Sequence, residues 1–258
     1  MAIKGAKKIL ALKHRKVRNK ERQFLIEGIR LAEEALKSEA EIDQMLFCRE
    51  MLGNDRLMSL FREAEERNIP VQQTDHRAMK GMSEHQNLEG VIGVLPMPSW
   101  DRGSALESNQ PTLLLDRIRD PGNLGLILRT AEAAGVGALF LSRECVEIFN
   151  SKVVRASKGS IFRMPAFVDE DLVSVTNDLR SRNVPVLCTM TSGKPYFAVS
   201  ESNQFALVLG NETSGVDPLV ADVADFSVTI PISGPVNSLN VAVAAGILLF
   251  HLTQRELT

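Results

Sequence analysis

Asn123, Gly125 and Arg129 stand in the stretch Asp120-Pro-Gly-Asn-Leu-Gly-Leu-Ile-Leu-Arg129, just after the apolar run Thr112-Leu-Leu-Leu-Asp116. A carboxamide both donates and accepts hydrogen bonds, and a guanidinium carries a lasting positive charge. Such a pair suits the cradling of a phosphate. The order of residue types reads as strand, tight turn, then helix, with Asn123 in the turn and Arg129 near the middle of the helix. Two further turns rich in polar residues and glycine lie downstream. One is Leu209-Gly-Asn-Glu212 through Gly215, and the other runs from Ile230-Pro-Ile232 to Ser238-Leu-Asn240-Val. Taken alone, each turn is explained by helix capping, with Ser238 capping the last helix. Three of them at successive strand ends point instead to one site. Glycines 210, 215 and 234 let backbone approach a ligand or take positive φ.

The elements that must position these turns alternate. Apolar strand candidates are 112–115, 138–141, 185–190, 205–209 and 226–230. Helix candidates are 124–134, 151–156, 170–180 and 239–252. Strands apolar throughout are buried on both faces, which predicts a parallel sheet covered by helices. Such a sheet binds ligands at the carboxyl ends of its strands. The last helix is apolar nearly all round and must be buried, in its own domain or in a subunit interface. The preceding part predicts a small α/β sandwich. It holds a helix over 24–36, a strand at 42–48, a helix at 55–67 and short strands at 69–71 and 90–95. The stretch from Pro96 to Pro111, rich in proline and polar residues, reads as a linker. The expected division is therefore 1–97, a linker at 98–110, and 111–258.

Composition narrows the partners. The chain has 258 residues, 44% hydrophobic and 24% charged, with a net charge of −2. This is the composition of a globular chain, without an apolar run long enough for a membrane span or the long apolar core of a signal peptide. Cys48, Cys145 and Cys188 are too far apart for a CxxC site. His14, His76, His85 and His251 lack metal-ligand spacing. Neither a disulfide framework nor a metal site is expected, and a reducing cytoplasm is the default location. Charge is unevenly spread: residues 1–22 hold nine Lys/Arg against Glu21. A basic arm of this kind suits a phosphate backbone or, equally, a solvated helix face. A dinucleotide-type enzyme is disfavoured, because neither GxGxxG nor a P-loop occurs.

In their order and spacing the three motifs resemble those of the SpoU/TrmH family of RNA ribose methyltransferases, within the knotted SPOUT superfamily. Asn123-Leu-Gly125 with Arg129 matches the first motif, Leu209-Gly-Asn-Glu212 with Gly215 the second, and Ile230-Pro-Ile232 with Ser238-Leu-Asn240-Val241 the third. The N-terminal part resembles the family's ribosomal-protein-like substrate-binding domain more loosely, through its basic helix, Phe24-Leu-Ile-Glu-Gly28 and His85-Gln86. There the usual Gln-Gly-Val is altered to Gln86-Asn-Leu-Glu-Gly90-Val.

The resemblance implies a C-terminal parallel-sheet α/β domain with a deep trefoil knot, a small N-terminal α/β RNA-binding domain, and a homodimer formed through the C-terminal domain. It implies S-adenosylmethionine as cofactor, gripped by backbone at Gly210, Ile230 and Leu239. Thr189 and Met190 would line the adenosine pocket, with Leu209, Asn211, Gly215, Ile232 and Ser238 completing the site. The reaction would be methylation of a ribose 2′-hydroxyl, in ribosomal RNA first and transfer RNA second. Arg129 would hold the neighbouring phosphate and stabilise the developing alkoxide, since a guanidinium keeps its proton in neutral water. Asn123, Glu212, Ser238 and Asn240 would position Arg129 and the ribose, with Glu212 pairing with Arg129. RNA contacts are expected from Lys13, Arg15, Lys16, Arg18, Arg22, Arg155 and Lys158. A catalytically silent RNA-binding protein and a methyltransferase acting on a base nitrogen are the competing readings.

Overall fold

A computed structural model describes residues 6–84, 87–200, 202 and 204–253. His85 and Gln86, used in the comparison above, lie outside the described residues. The described chain gathers into two compact units. One is the stretch up to Ser99 together with Phe149–Arg163; the other is Trp100–Ile148 and the chain from Met164 onward.

The first stretch runs α1 (Ala6–Ala11), α2 (Arg15–Glu21), β1 (Gln23–Glu27), α3 (Ile29–Lys37), β2 (Gln44–Cys48), α4 (Asp55–Glu66), β3 (Val71–Thr74), α5 (His76–Met82) and β4 (Val91–Pro96). Its sheet has the order β1-β4-β2-β3. β4 is antiparallel to β1 and β2, and β3 is parallel to β2. The expected helix over 24–36 divides in two. Phe24 and Ile26 alternate inward from β1, the period of a strand. Gly28 then turns the chain with φ of +101°, a value that other residues rarely take. Only from Ile29 does the helical stripe hold, burying Leu31, Ala32, Ala35 and Leu36. The first turn of α3 is capped from a distance, since Ile29 N–H donates to Glu89 Oε2 at 3.0 Å. The helix α5 was not foreseen; Asp75 caps it and Met79 and Met82 anchor it.

The remainder runs α6 (Arg102–Glu107), β5 (Thr112–Leu115), α7 (Pro121–Ala133), β6 (Ala138–Ser142), α8 (Ser151–Ser157), β7 (Ala166–Glu170), α9 (Leu172–Ser181), β8 (Val186–Pro195), β9 (Ala206–Leu209), α10 (Pro218–Val223), β10 (Phe226–Thr229) and α11 (Val241–Leu252). The second unit's sheet has the order β10-β8-β9-β5-β6-β7, parallel throughout. β5 and β9, at its centre, are buried at every position, as the unbroken apolar runs require. Leu114, Phe140, Val186 and Val208 form one core with Leu172, Val175 and Leu179 of α9.

Several stretches depart from the sequence reading, which had neither β7 nor α10. Residues 98–110 are not an open linker: Asp101 caps α6, Leu106 is buried in the second unit's core, and Arg102 pairs with Glu170 at 3.1 Å. Residues 149–163, inside the stretch read as one C-terminal domain, pack with the first unit. α11 is apolar all round as read, yet only one side is covered. Val241, Ala245, Leu248 and Leu249 are buried, while Val243 and Phe250 are exposed.

Candidate active site

The site begins where β5 and β9 end side by side. After β5 the chain turns and enters α7 with Pro121 at its start, where a missing N–H costs nothing. Asp120 caps that helix by accepting Asn123 N–H at 2.8 Å, which fixes Asn123 in the first turn. After β9 the chain folds back at once. Asn211 and Gly215 exchange backbone hydrogen bonds of 3.1 and 2.9 Å. Asn211 Oδ1 accepts the Thr213 and Ser214 amides at 3.0 and 3.1 Å. A Cβ on Gly210 would stand 2.3 Å from Val216 N and 2.4 Å from Gly215 C, so only glycine admits this close return of the chain.

A directional chain of side-chain hydrogen bonds ties the three motifs together. Asn240 caps α11, its Oδ1 accepting Ala242 N–H at 2.9 Å and Val243 N–H at 3.3 Å. With its oxygen committed, its amide nitrogen donates to Asn123 Oδ1 at 2.8 Å. Asn123 Nδ2 in turn donates to Glu212 Oε1 at 2.6 Å. Each amide orientation follows from the one before, so no flip is free. Two expectations are corrected here. Glu212 pairs with Asn123 rather than with Arg129, because Asn123 lies in the first turn of α7 while Arg129 is six residues on and faces elsewhere. Asn240, not Ser238, caps the last helix, which starts at Val241. Arg129 is exposed and makes no hydrogen bond or ion pair among the described residues. Gly125 is buried in α7.

A second network was missed in the sequence. Asp116 ends the apolar strand β5 and is only 3% exposed. Its carboxylate accepts Asp217 N–H at 2.8 Å and pairs with Arg117 at 3.0 Å. Arg117 also reaches Gly215 O at 3.4 Å, and its own carbonyl accepts Asn211 Nδ2 at 2.9 Å. The loop 211–217 is thus clamped to the end of β5. The legible signal was a carboxylate closing a wholly apolar run, a position rarely buried without partners. Burial, with Asp116 adding to it, also pushes the Cys188 thiol up to about 11, so this cysteine of β8 is a packing residue. Asp116→Asn removes the ion pair and loosens the loop. The expected result is a loss of about 2 kcal/mol and a melting temperature lower by roughly 4–8 °C, read by calorimetric unfolding of the variant.

The turns surround a cleft of about 620 Å³, within the range of small-molecule sites. Every residue expected to hold a cofactor lines it. Thr189 and Met190 come from β8, and Leu209, Gly210, Asn211 and Gly215 from β9 and its turn. Ile230, Ile232, Ser238 and Leu239 come from the stretch before α11. Thr189 Oγ1 donates to Val208 O at 2.8 Å, which fixes its rotamer. Val228, Val241, Ala244 and Leu248 add an apolar wall that the sequence reading did not include, and Glu212 stands at the polar side. The cleft therefore offers apolar surface for a flat ring, bare backbone at Gly210, and one carboxylate.

The expected RNA-contacting cations separate into two groups. Arg15, Lys16, Arg22, Arg155 and Lys158 are exposed. Arg18 is not: it is 6% exposed and donates to the carbonyls of Leu12 and Lys13 at 2.9 and 2.7 Å. It locks the α1–α2 turn instead of facing solvent. Lys13 Nζ likewise braces the carbonyls of Gly81 and Ser83 at 3.3 and 3.1 Å. Among the described residues no cluster of His, Cys, Asp or Glu could hold a metal, and no helix is long and apolar enough to cross a membrane.

A parallel sheet whose strand-end turns close over a nucleoside-sized cleft defines a cofactor-binding α/β domain. The three linked motifs define which kind. The chain belongs to the SpoU rRNA methylase family, whose model matches residues 110–250. Residues 4–93 match the MRM3-like substrate binding domain. The 23S rRNA (guanosine(2553)-2′-O)-methyltransferase RlmP of Bacillus subtilis is 36% identical over 239 residues, covering 92% of this chain and 91% of that protein. An AdoMet-bound rRNA methyltransferase structure from Sinorhizobium meliloti matches with a TM-score of 0.84 at 28% identity, covering 98% of this chain and 95% of that one. The SpoU methyltransferase AviRb from Streptomyces viridochromogenes, in complex with AdoMet, matches with a TM-score of 0.84 at 25% identity over 96% of each chain.

Proposed function

We propose that this chain is an S-adenosylmethionine-dependent methyltransferase that modifies a ribose 2′-hydroxyl of ribosomal RNA. The carrying observation is the Asn240–Asn123–Glu212 chain, which joins all three motifs beside the cleft. Bound in that cleft, the cofactor supplies a methyl group already activated by a sulfonium. The protein's task is then the acceptor, since a ribose hydroxyl is a weak nucleophile at neutral pH. Asn123, held from both sides, sets the acceptor side of the site with Glu212 and Asn240. Ser238 and the backbone around Gly210, Ile230 and Leu239 hold the cofactor side. Arg129 binds the phosphate next to the target ribose and stabilises negative charge growing on the oxygen. Arg15, Lys16, Arg22, Arg155 and Lys158 contact the RNA backbone. Alignment of the two reactants supplies much of the rate.

The same reading includes a chain threaded as a trefoil knot in the second unit, action in the cytoplasm, and a homodimer. Support for the dimer is the uncovered apolar side of α7 and α11, where Leu126, Val243 and Phe250 are exposed. Arg129 stands one turn from Leu126 on that side of α7. The reading keeps a substrate-binding part at 1–97 and a methyltransferase part at 111–258, with Phe149–Arg163 packing in the first unit.

The test is methylation of unmodified ribosomal RNA, and of transfer RNA in parallel, by the full chain with labelled S-adenosylmethionine. Label on a ribose 2′-oxygen of ribosomal RNA is expected. Label on a base overturns the reaction, and label in transfer RNA alone overturns the substrate. Absence of cofactor binding by calorimetry favours a silent RNA-binding protein.

A further inference from the structure

The cleft of the second unit is lined by apolar side chains, hydroxyls, carboxamides, bare backbone and a single ionisable group, the carboxylate of Glu212. Among the described residues no other acid, and no histidine, lysine, arginine, cysteine or tyrosine, lines it. A chain of donors ends on that carboxylate. Asn240 gives its oxygen to the first amides of α11, which leaves its nitrogen to donate to Asn123 Oδ1 at 2.8 Å. Asn123, its oxygen taken, donates from its nitrogen to Glu212 Oε1 at 2.6 Å. The polarity is set at one end by a helix and runs to a group that only accepts. The second oxygen, Oε2, is held less closely. Asn211 Nδ2 stands 3.4 Å from it and makes its shorter contact, 2.9 Å, with Arg117 O. Glu212 thus has one oxygen anchored and one with room for a further donor.

We infer that Glu212 is the catalytic proton acceptor, its Oε2 taking the proton of the ribose 2′-hydroxyl during methyl transfer. The inference rests on the methylation reading above and goes beyond it by giving that proton a destination. As the 2′-oxygen bonds to the methyl carbon, the carbon–sulfur bond breaks and its electron pair stays on sulfur, which loses its positive charge. The O–H bond leaves its electron pair on oxygen and its proton on Oε2. One sulfonium and one carboxylate are consumed, and a methyl ether, a neutral thioether and a carboxylic acid result. The acid then returns its proton to water. A carboxylate is a far weaker base than an alkoxide. It suffices because the oxygen becomes strongly acidic as it gains the methyl, which is when a positioned base is most effective. The other groups offer less. Carboxamides and hydroxyls do not hold an added proton in neutral water, and the Arg129 guanidinium already carries its own. Arg129 stabilises charge on the oxygen, and Glu212 removes the proton.

The experiment is single-turnover methyl transfer from labelled S-adenosylmethionine to unmodified ribosomal RNA by the full chain, with both reactants saturating. Glu212→Gln keeps the length and an oxygen that accepts from Asn123, but it cannot take a proton. Glu212→Asp keeps the acid on a shorter arm. A proton acceptor gives the rate order Glu, Asp, Gln, with Glu212→Gln slower than wild type by about 10²- to 10⁴-fold. A residue that only positions Asn123 gives the two variants in the reverse order, Gln above Asp, and that order overturns the inference. So does a Glu212→Gln rate within about tenfold of wild type. Binding is the second readout, by calorimetry for S-adenosylmethionine and by fluorescence anisotropy for the RNA. Glu212→Gln is expected to bind each within about threefold of wild type. Cofactor affinity lost by more than about tenfold, with the rate restored at saturation, makes Glu212 a binding residue and overturns the inference. Should Glu212→Gln melt early, Glu212→Asp against Glu212→Asn decides on the shorter arm: a faster Asp supports the proton acceptor, and equal rates overturn it. Wild-type protein that labels no ribose is a different result, and it fells the methylation reading itself.

Discussion

Arg129→Ala lowers the single-turnover rate of methyl transfer by roughly 10²- to 10³-fold, the effect of removing one well-placed electrostatic stabiliser, while S-adenosylmethionine affinity stays within about twofold. The expected separation follows from position. Arg129 is exposed on α7, makes no hydrogen bond or ion pair among the described residues, and lies apart from the lining of the cleft. Its loss removes nothing that holds the fold or the cofactor. Alanine is also at least as good a helix former, so stability changes by less than about 0.5 kcal/mol. Arg129→Lys keeps the charge but loses the planar fork that matches a phosphate, and its rate should fall between the two. Rapid-quench single-turnover assays with saturating cofactor read the rate, and calorimetry reads the affinity. Near-normal methylation by Arg129→Ala would remove Arg129 from the chemistry. A parallel loss of cofactor binding would instead make it a residue of the cleft.

The three strand-end turns were legible because they recur at successive carboxyl ends of one parallel sheet, where such folds bind ligands, although each turn alone is explained by helix capping. Apolar runs at 112–115 and 205–209 pointed directly to the central strands, observed at Thr112–Leu115 and Ala206–Leu209. What the sequence hid was pairing. Nothing local distinguishes Glu212 bound to Asn123 from Glu212 bound to Arg129, because the partner is chosen by the angular position of each residue on α7. The cap of α11 was misread for a similar reason: Ser238 and Asn240 are both good capping types two residues apart, and only the start of the helix decides between them. In the first unit, Phe24-Leu-Ile-Glu-Gly28 was read as helical because Ile26 also fits the stripe of the following helix. The strand becomes evident only from the alternation of Phe24 and Ile26 and the positive φ of Gly28. Arg18 looked like one cation among nine, and its burial depends on carbonyls left open where α1 ends. The return of residues 149–163 to the first unit has no local signature at all, since Val153 and Val154 would be buried against either unit.

Gly210→Ala carries the other large effect, and it separates the cofactor from the RNA. The new methyl would stand 2.3 Å from Val216 N, 2.4 Å from Gly215 C and 2.6 Å from Gly215 O. All three are backbone atoms, so no side chain can swing away. Relief requires the loop after β9 to lift, which breaks the reciprocal Asn211–Gly215 hydrogen bonds and draws Asp217 N–H off Asp116. Overpacking costs about 1–3 kcal/mol, and each lost hydrogen bond about 0.5–1.5 kcal/mol. Leu209, Gly210, Asn211 and Gly215 all line the cleft, so the same movement reshapes one wall of it. The expected result is a loss of S-adenosylmethionine affinity of about 100-fold or more, since 1.4 kcal/mol is tenfold. RNA affinity, which the proposed function draws mainly from the other unit and from Arg129, should hold within about twofold. Gly234→Ala is the matched comparison. It stands in the third motif, has ordinary φ, and has nothing within 4 Å of its added methyl, so it should bind the cofactor as wild type does. Titration calorimetry for the cofactor and anisotropy for the RNA read both arms. Gly210→Ala protein that binds S-adenosylmethionine within threefold of wild type would show that this turn does not shape the cofactor site. The grip would then have to come from the stretch before α11 alone.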